Sequence, residues 1–337
     1  MNKHQSSFSL TTSPANLLFT TALLSGILLT LSAHTWFSMW MGLELNLFGF
    51  IPLIMATSSN QEKEAACKYF LAQATPSAIF LVCLVLTPLL PMTSFFLSMA
   101  VLMKLGAAPC HQWFPSVMSS MGWPQSWALI TIQKVGPFFI LLQTTNNAST
   151  LLIFVAAASS IVGGIGGMNQ TLLRPLIAYS SIGHMGWMMA AMLISNSTAT
   201  LYFASYILII STVILSAMLL KLTSIHMSAS ISKSPLLLFI LITSFMNMGG
   251  LPPLFGFFIK ATVMSSLISE NLTFLLIPLI MGSVMNLYYY LKVVFVHTLE
   301  TSPHFLILQP PLSTMQMTLP ALFIISTVSA ATLLTLF

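Results

Sequence analysis

The 337-residue sequence contains no aspartate, and its five acids are all glutamates. Only 4% of positions carry charge, against 57% that are hydrophobic, whereas a soluble domain carries roughly 25% charged residues. That shortage of polar surface excludes a soluble globular enzyme. The ten Lys and Arg residues give a net charge of +5, yet they are scattered singly between apolar runs. A nucleic-acid reader needs a clustered basic patch, so nucleic acid is not an expected partner. Cysteine is scarce too: Cys67, Cys83 and Cys110 share no Cys-x-x-Cys spacing and lie in or beside apolar segments. They make neither a disulfide framework nor a metal site and read as buried small hydrophobes. Phosphate loops and nucleophile motifs are missing. Gly163-Gly-Ile-Gly-Gly167 has no strand before it and reads as close helix packing, not as a dinucleotide loop.

Long apolar runs fill the chain instead. A bilayer-crossing helix needs about 20 apolar residues, and eleven stretches qualify: about 14–33, 36–57, 65–87, 91–110, 124–143, 149–168, 174–194, 199–222, 235–268, 273–296 and 317–337. The connections are short and polar, which leaves a single all-α polytopic membrane domain, 1–337. The first run is followed directly by a second, not by a cleavage site and a polar chain, so it is expected to be a retained span. Eleven spans put the termini on opposite sides. Lys3, Lys63, Lys68, Arg174, Lys221, Lys233 and Lys292 then all fall at ends facing the N-terminal side, while the other side shows only Glu270. The positive-inside rule places the N-terminus in the cytoplasm or its organellar equivalent.

Four charges do not fit the edges: Glu44, Lys104, Lys134 and Lys260. Each costs about 2.5–3.5 kcal/mol at the centre of a membrane helix, so the set costs roughly 10–14 kcal/mol, comparable to the whole stability of a domain. One reading is structural: Glu44 pairs with a lysine as glue and the others snorkel toward an interface. Snorkelling suits Lys104, near a helix break, better than Lys134, with about ten residues of helix on either side. The other reading is functional. A carboxylate moved toward or away from a buried lysine switches it between holding and releasing a proton, which is what a proton pathway requires.

Two spans look interrupted, at Lys104-Leu-Gly-Ala-Ala-Pro109-Cys-His-Gln-Trp-Phe-Pro115 and at Gly249-Gly-Leu-Pro-Pro253-Leu-Phe-Gly256-Phe-Phe-Ile-Lys260. Proline removes a helix hydrogen bond and glycine weakens the helix further. Broken backbone at membrane depth is tolerated only inside protein or beside a water-filled cavity. Paired broken helices in two halves of a chain point to a transporter with inverted repeats. His111 follows the first break and His184 lies mid-span; either is a proton-relay candidate or a satisfied packing residue.

These segments carry a family resemblance. Met41-Gly-Leu-Glu-Leu-Asn46, Glu64-Ala-Ala-Cys-Lys-Tyr-Phe-Leu-Ala-Gln73, the Lys104–Pro115 segment, Gln133-Lys134, Ala178-Tyr-Ser-Ser-Ile-Gly-His-Met-Gly-Trp187 and Gly250-Leu-Pro-Pro-Leu-Phe-Gly-Phe257 resemble subunit 2 of animal mitochondrial NADH dehydrogenase. The match runs from about residue 36 to 295. It implies an antiporter-like subunit of the membrane arm of complex I, with eleven spans, in the mitochondrial inner membrane. The N-terminus would lie in the matrix and the C-terminus in the intermembrane space. It also implies that Glu44 pairs with Lys104, that Lys134 connects them onward, and that Lys260 leads toward the far exit; His184 matches as well. Ser116 departs from the family, whose members often carry Glu there. The resemblance implies no cofactor in this chain: NADH, FMN, iron–sulfur clusters and ubiquinone belong to partner subunits. Other membrane-arm subunits, accessory subunits and inner-membrane phospholipids are the expected partners. The rival readings are a stand-alone or Mrp-type cation/proton antiporter subunit and a membrane subunit whose polar residues only pack.

Overall fold

A computed structural model of the chain describes residues 14–56, 59–87, 93–144, 149–225, 235–252 and 254–301; the expected span at 317–337 lies outside them. The described residues are helical throughout, apart from connections and a single isolated bridge between Leu172 and Ser224. The chain divides into two compact units, residues 1–151 and 152–337.

The first unit holds α1 (Pro14–Ser32), α2 (Trp36–Ile54), α3 (Asn60–Leu86), α4 (Thr93–Leu105), α5 (Trp113–Ser120), α6 (Trp123–Ile130) and α7 (Ile132–Thr144). Local chemistry sets the starts of α2 and α3. Thr35 Oγ1 accepts a hydrogen bond from the Ser38 amide at 3.2 Å, and Ser59 Oγ accepts one from the Glu62 amide at 3.3 Å. Each satisfies an orphan donor in the first helical turn. Beyond that cap, exposed Lys68 pairs with Glu64 one turn earlier, at 2.6 Å.

The second unit is built from α8 (Ser149–Met168), whose first turn straddles the boundary, α9 (Leu173–Ile194), α10 (Asn196–Leu219), α11 (Pro235–Gly249), α12 (Phe255–Ser269) and α13 (Leu276–Thr301). Among the described residues seven helices are long and apolar enough to cross a membrane: α1, α2, α3, α8, α9, α10 and α13. Their outward faces carry Leu, Phe, Val and Ile, such as Leu28, Phe48, Val85, Phe154 and Ile277, as expected of helices bathed in lipid. Cys67 lies on such an exposed face, contrary to the expectation that all three cysteines are buried; Cys83 is buried and Cys110 half-buried.

Both anticipated interruptions are present. α4 stops at Leu105, where Gly106 adopts φ +72°. Its amide donates to the Met103 carbonyl at 3.1 Å while the Ala107 amide reaches back to Leu102 at 3.2 Å. α11 stops in the same way at Gly250, φ +78°, with the Leu251 amide bonded to Met246. This glycine-terminated closure needs a left-handed residue that only glycine adopts without strain. A consequence is that α4, at 13 residues, is about 20 Å long and too short to cross alone. The stretch expected at 235–268 is likewise two helices of 15 residues each.

A third interruption was not foreseen. The stretch expected at 124–143 divides at Thr131, whose hydroxyl donates to the Trp127 carbonyl at 2.7 Å.

Glycine sets how closely helices approach. Gly26 and Gly42 bring α1 and α2 backbone to backbone, and Gly163 on α8 does the same with Gly183 on α9, so the glycine run at 163–167 is a packing seam. A side chain at Gly163 meets the Gly183 backbone directly, with no flexible group to yield. Gly163→Val is therefore expected to destabilise the chain by at least the 1–3 kcal/mol of ordinary overpacking. A lowered melting temperature and a reduced yield of membrane-inserted protein would register it.

Candidate functional site

Within the first unit, three of the four out-of-place charges come together. α2 presents Glu44 and Asn46, the last turn of α4 presents Lys104, and the first turn of α7 presents Lys134. Lys104 Nζ lies 3.3 Å from Glu44 Oε1, with the lysine side chain 3% exposed and the carboxylate 16%. Because α4 ends at this point, the Lys104 carbonyl has no helical partner, and Gln73 Nε2 of α3 donates to it at 3.1 Å. The broken helix is thus held by a side chain from its neighbour.

Gln133 precedes Lys134 and ties three helices. It accepts from the Tyr69 hydroxyl at 3.1 Å and donates through Nε2 to Asn46 Oδ1 at 3.1 Å. Lys134 Nζ sits 4.9 Å from the centre of the Phe114 ring, over its face. Such a cation–π contact offsets part of the cost of burying the charge. Close approach of α7 is allowed by Gly136, which lies against Leu43 and Thr30.

Lys104, Lys134, Gln73, Gln133, Tyr69 and Asn46 all face one cavity of about 20 Å³, walled otherwise by apolar side chains. That volume is enough for about one water, and the polar groups around it are numerous enough to hold one. A water there would reach toward both lysines. The arrangement therefore sets two lysines, one of them paired with a carboxylate, on a gap that can hold a water; these are groups able to take and give a proton.

The second unit places the remaining candidates. Lys260 is on α12, one turn past the second break, and its Nζ donates to the carbonyls of Met248 and Gly249 at 3.3 and 3.0 Å. These are carbonyls that α11 leaves open where it ends. Asn247 Oδ1 accepts from the Gly256 amide at 2.8 Å across the same gap. His184 is buried on α9, with Nδ1 3.0 Å from the Tyr202 hydroxyl. His111 stays in the first break, Nδ1 3.0 Å from the Pro109 carbonyl, and is not among the residues lining the cavity.

The profile described as "NADH:quinone oxidoreductase/Mrp antiporter, TM" matches residues 33–90 and 85–286. The chain belongs to that family. The match covers α2 to α12 and the first part of α13, and so every charged or histidine site residue just described; α1 lies outside it. Curated relatives in the NADH:quinone oxidoreductase/Mrp antiporter family include NADH-ubiquinone oxidoreductase chain 2 of Lumbricus terrestris, 38% identical over 87% of this chain and 89% of the relative. The protein of the same name from Locusta migratoria is 35% identical over 83% and 84%. Among solved structures, a chain of respiratory complex I from Thermus thermophilus superposes with a TM-score of 0.79 at 22% identity, covering 94% of this chain and 77% of the other. A chain of the Mrp complex from Dietzia superposes with a TM-score of 0.73 at 13% identity, covering 88% and 62%. At these identities the likeness is one of fold.

Asn46, Tyr69, Gln73 and Gln133 join the site although the sequence pattern does not mark them out, each standing in a segment that carries the family resemblance. The signal was available: an amide or phenol deep in an apolar run has no interface to serve, and burial demands a partner for it. The phenols Tyr202, Tyr206, Tyr289 and Tyr290, all buried in the second unit, are likewise unmarked in the sequence.

Proposed function

We propose that this chain is a membrane-arm subunit of a respiratory NADH:ubiquinone oxidoreductase and carries part of its proton path. The observation that carries the reading is that Lys104, ion-paired with Glu44, shares one hydratable cavity with Lys134. Support comes from relatives at 32–38% identity that bear the name NADH-ubiquinone oxidoreductase chain 2.

In this reading Glu44 is the electrostatic lever. With the carboxylate at 3.3 Å, Lys104 holds its proton; with the carboxylate withdrawn, the proton is released toward the cavity and Lys134. Gln73 and Gln133 fix the lysines so that the movement of one carboxylate is felt. Lys260 and His184 are relay groups of the second unit, and His111 is a further candidate at the mouth of the first break. Quinone reduction elsewhere in the complex supplies the driving free energy. One charge crossing 100 mV costs about 2.3 kcal/mol, a scale that the loss of a buried ion pair matches.

The redox groups, namely NADH, FMN, iron–sulfur clusters and ubiquinone, belong to partner subunits in this reading. Other membrane-arm and accessory subunits surround the chain, and phospholipids of the mitochondrial inner membrane cover its apolar outer faces. The chain acts as one membrane domain of eleven spans with antiporter-like inverted repeats. Its Lys- and Arg-bearing ends and N-terminus face the matrix, and its C-terminus faces the intermembrane space.

The likeness in fold to a chain of an Mrp complex keeps one rival, an Mrp-type cation/proton antiporter subunit. Native electrophoresis of mildly solubilised mitochondrial membranes separates the two. We expect the chain to migrate within a large assembly that stains for NADH dehydrogenase activity. Migration as a small species without that activity, together with sodium- or potassium-driven proton flux in liposomes, would transfer the assignment to the antiporter.

A further inference from the structure

Four tyrosines of the second unit are buried, and two of them stand against His184. Tyr202, Tyr206, Tyr289 and Tyr290 are each at most 3% exposed. Tyr202 meets His184 Nδ1 at 3.0 Å, and the Tyr206 ring lies 5.3 Å from the His184 ring with its hydroxyl interacting with Ser181. Tyr290, from α13, lies one turn after Asn286, whose side-chain amide packs at Gly183, the residue before His184. The Tyr290 ring stands 4.7 Å from that of Tyr289. On the far side the Tyr290 ring packs at Gly249, near enough that a Cβ there would lie 3.5 Å from it. Gly249 is the residue whose carbonyl holds Lys260 Nζ.

Tyr290 therefore stands between His184 with its phenols and the break that carries Lys260. Its hydroxyl is turned toward Ser180 and Tyr289, but neither completes a well-formed hydrogen bond with it. The Tyr289 hydroxyl and Asn286 Oδ1, on the same buried face of α13, are in the same position. A fully buried phenol without a completed hydrogen bond is unfavourable, because the water it gave up is not replaced. Three such groups on one face of one helix are the usual mark of internal water, which each would bind. A packing role needs only the rings; phenylalanine supplies those without the cost.

We propose that Tyr290, with Tyr202 and internal water, is a hydroxyl relay joining His184 to Lys260 within the second unit. The hand-off is balanced at each step. A proton arriving on the Tyr290 oxygen is matched by departure of its own hydroxyl proton on the opposite side, so no phenolate forms and one proton is displaced in total. His184 and the Lys260 amine are the two ends, and no oxidant or reductant takes part.

This inference rests on the proton-path reading above, and the test keeps the two apart. The assembled oxidoreductase carrying Tyr290→Phe, Tyr202→Phe or Lys260→Met is reconstituted in proteoliposomes, and protons moved per NADH oxidised are measured with an internal pH dye. Tyr290→Phe keeps the ring against Gly249 and removes only the hydroxyl. We expect it and Tyr202→Phe to lose as large a share of the proton yield as Lys260→Met. Tyr288→Phe, on the exposed face of the same helix, is expected to leave the yield at the wild-type value. Should Lys260→Met lower the yield while both phenol variants keep it, the relay is overturned and the proton-path reading stands. Should Lys260→Met also keep the yield, the relay falls together with the role of Lys260. If Tyr290→Phe fails to assemble, Tyr202→Phe decides by the same criterion.

Discussion

Lys134→Met is expected to remove this chain's whole contribution to proton movement while leaving the folded chain as stable as before, or more so. The two effects have opposite sign because the charge is costly and the side-chain volume is not. Lys134 is 3% exposed, and a lysine charge deep in a membrane helix costs about 2.5–3.5 kcal/mol. Its contact with the Phe114 ring, about 2 kcal/mol or more when desolvated, offsets part of that cost. Methionine fills nearly the same space with a flexible apolar chain and keeps a favourable contact with the ring. A residue retained for packing would behave the other way, with intact proton movement and a lower melting temperature. Protons per NADH and thermal stability of the same assembled preparation decide between them. A gain or no change in stability with loss of proton yield is the pattern of a residue kept for function. Unchanged proton yield would end the assignment of Lys134 to the path.

Why parts of this arrangement could be read in the sequence, and others not, follows from the range of the forces involved. The breaks at Gly106 and Gly250 were legible because glycine and proline act on their own backbone, within a turn. The membrane helices were legible because burial in lipid is a property of each run by itself. Thr131 escaped notice because a threonine inside an apolar run satisfies its own hydroxyl on the preceding turn, as Thr30 and Thr212 do without breaking their helices. The partner of Glu44 lies 60 residues away on α4, and residue spacing alone left any of three lysines open; the family resemblance, not the spacing, favoured Lys104. Least legible was the Gln133 bridge to Tyr69 and Asn46, which spans 64 and 87 residues and exists only once α2, α3 and α7 meet. The phenols around His184 belong to the same class. Tyr289 and Tyr290 read locally as ordinary aromatic residues of a span, and only the approach of α13 to α9 and α11 gives them neighbours.

The Glu44–Lys104 pair offers the sharpest separation of structure from function. Glu44→Gln leaves Lys104 with its side chain 3% exposed and without the carboxylate that offsets its charge. Removing one partner of a buried pair costs about 3–5 kcal/mol, whereas replacing both by apolar groups is often neutral or stabilising. At about 1.4 kcal/mol per tenfold, the single variant is expected to reduce the yield of assembled complex by at least two orders of magnitude where assembly follows stability. Glu44→Gln combined with Lys104→Met is expected to restore assembly to within about tenfold of wild type. Proton movement is expected to stay lost in both, because the double variant recovers the fold without recovering a group that can take and give a proton. Quantitative blotting of the assembled complex reads the first effect, and proton yield per NADH reads the second. If the double variant assembles no better than the single, Lys104 is not the charge that Glu44 balances. If it assembles and also pumps, the pair is structural glue after all, and the lever must lie elsewhere in the chain. Recovery of assembly alone leaves the ion pair with the role its position fits: a costly contact, 3.3 Å long, beside a cavity that can pass a proton on.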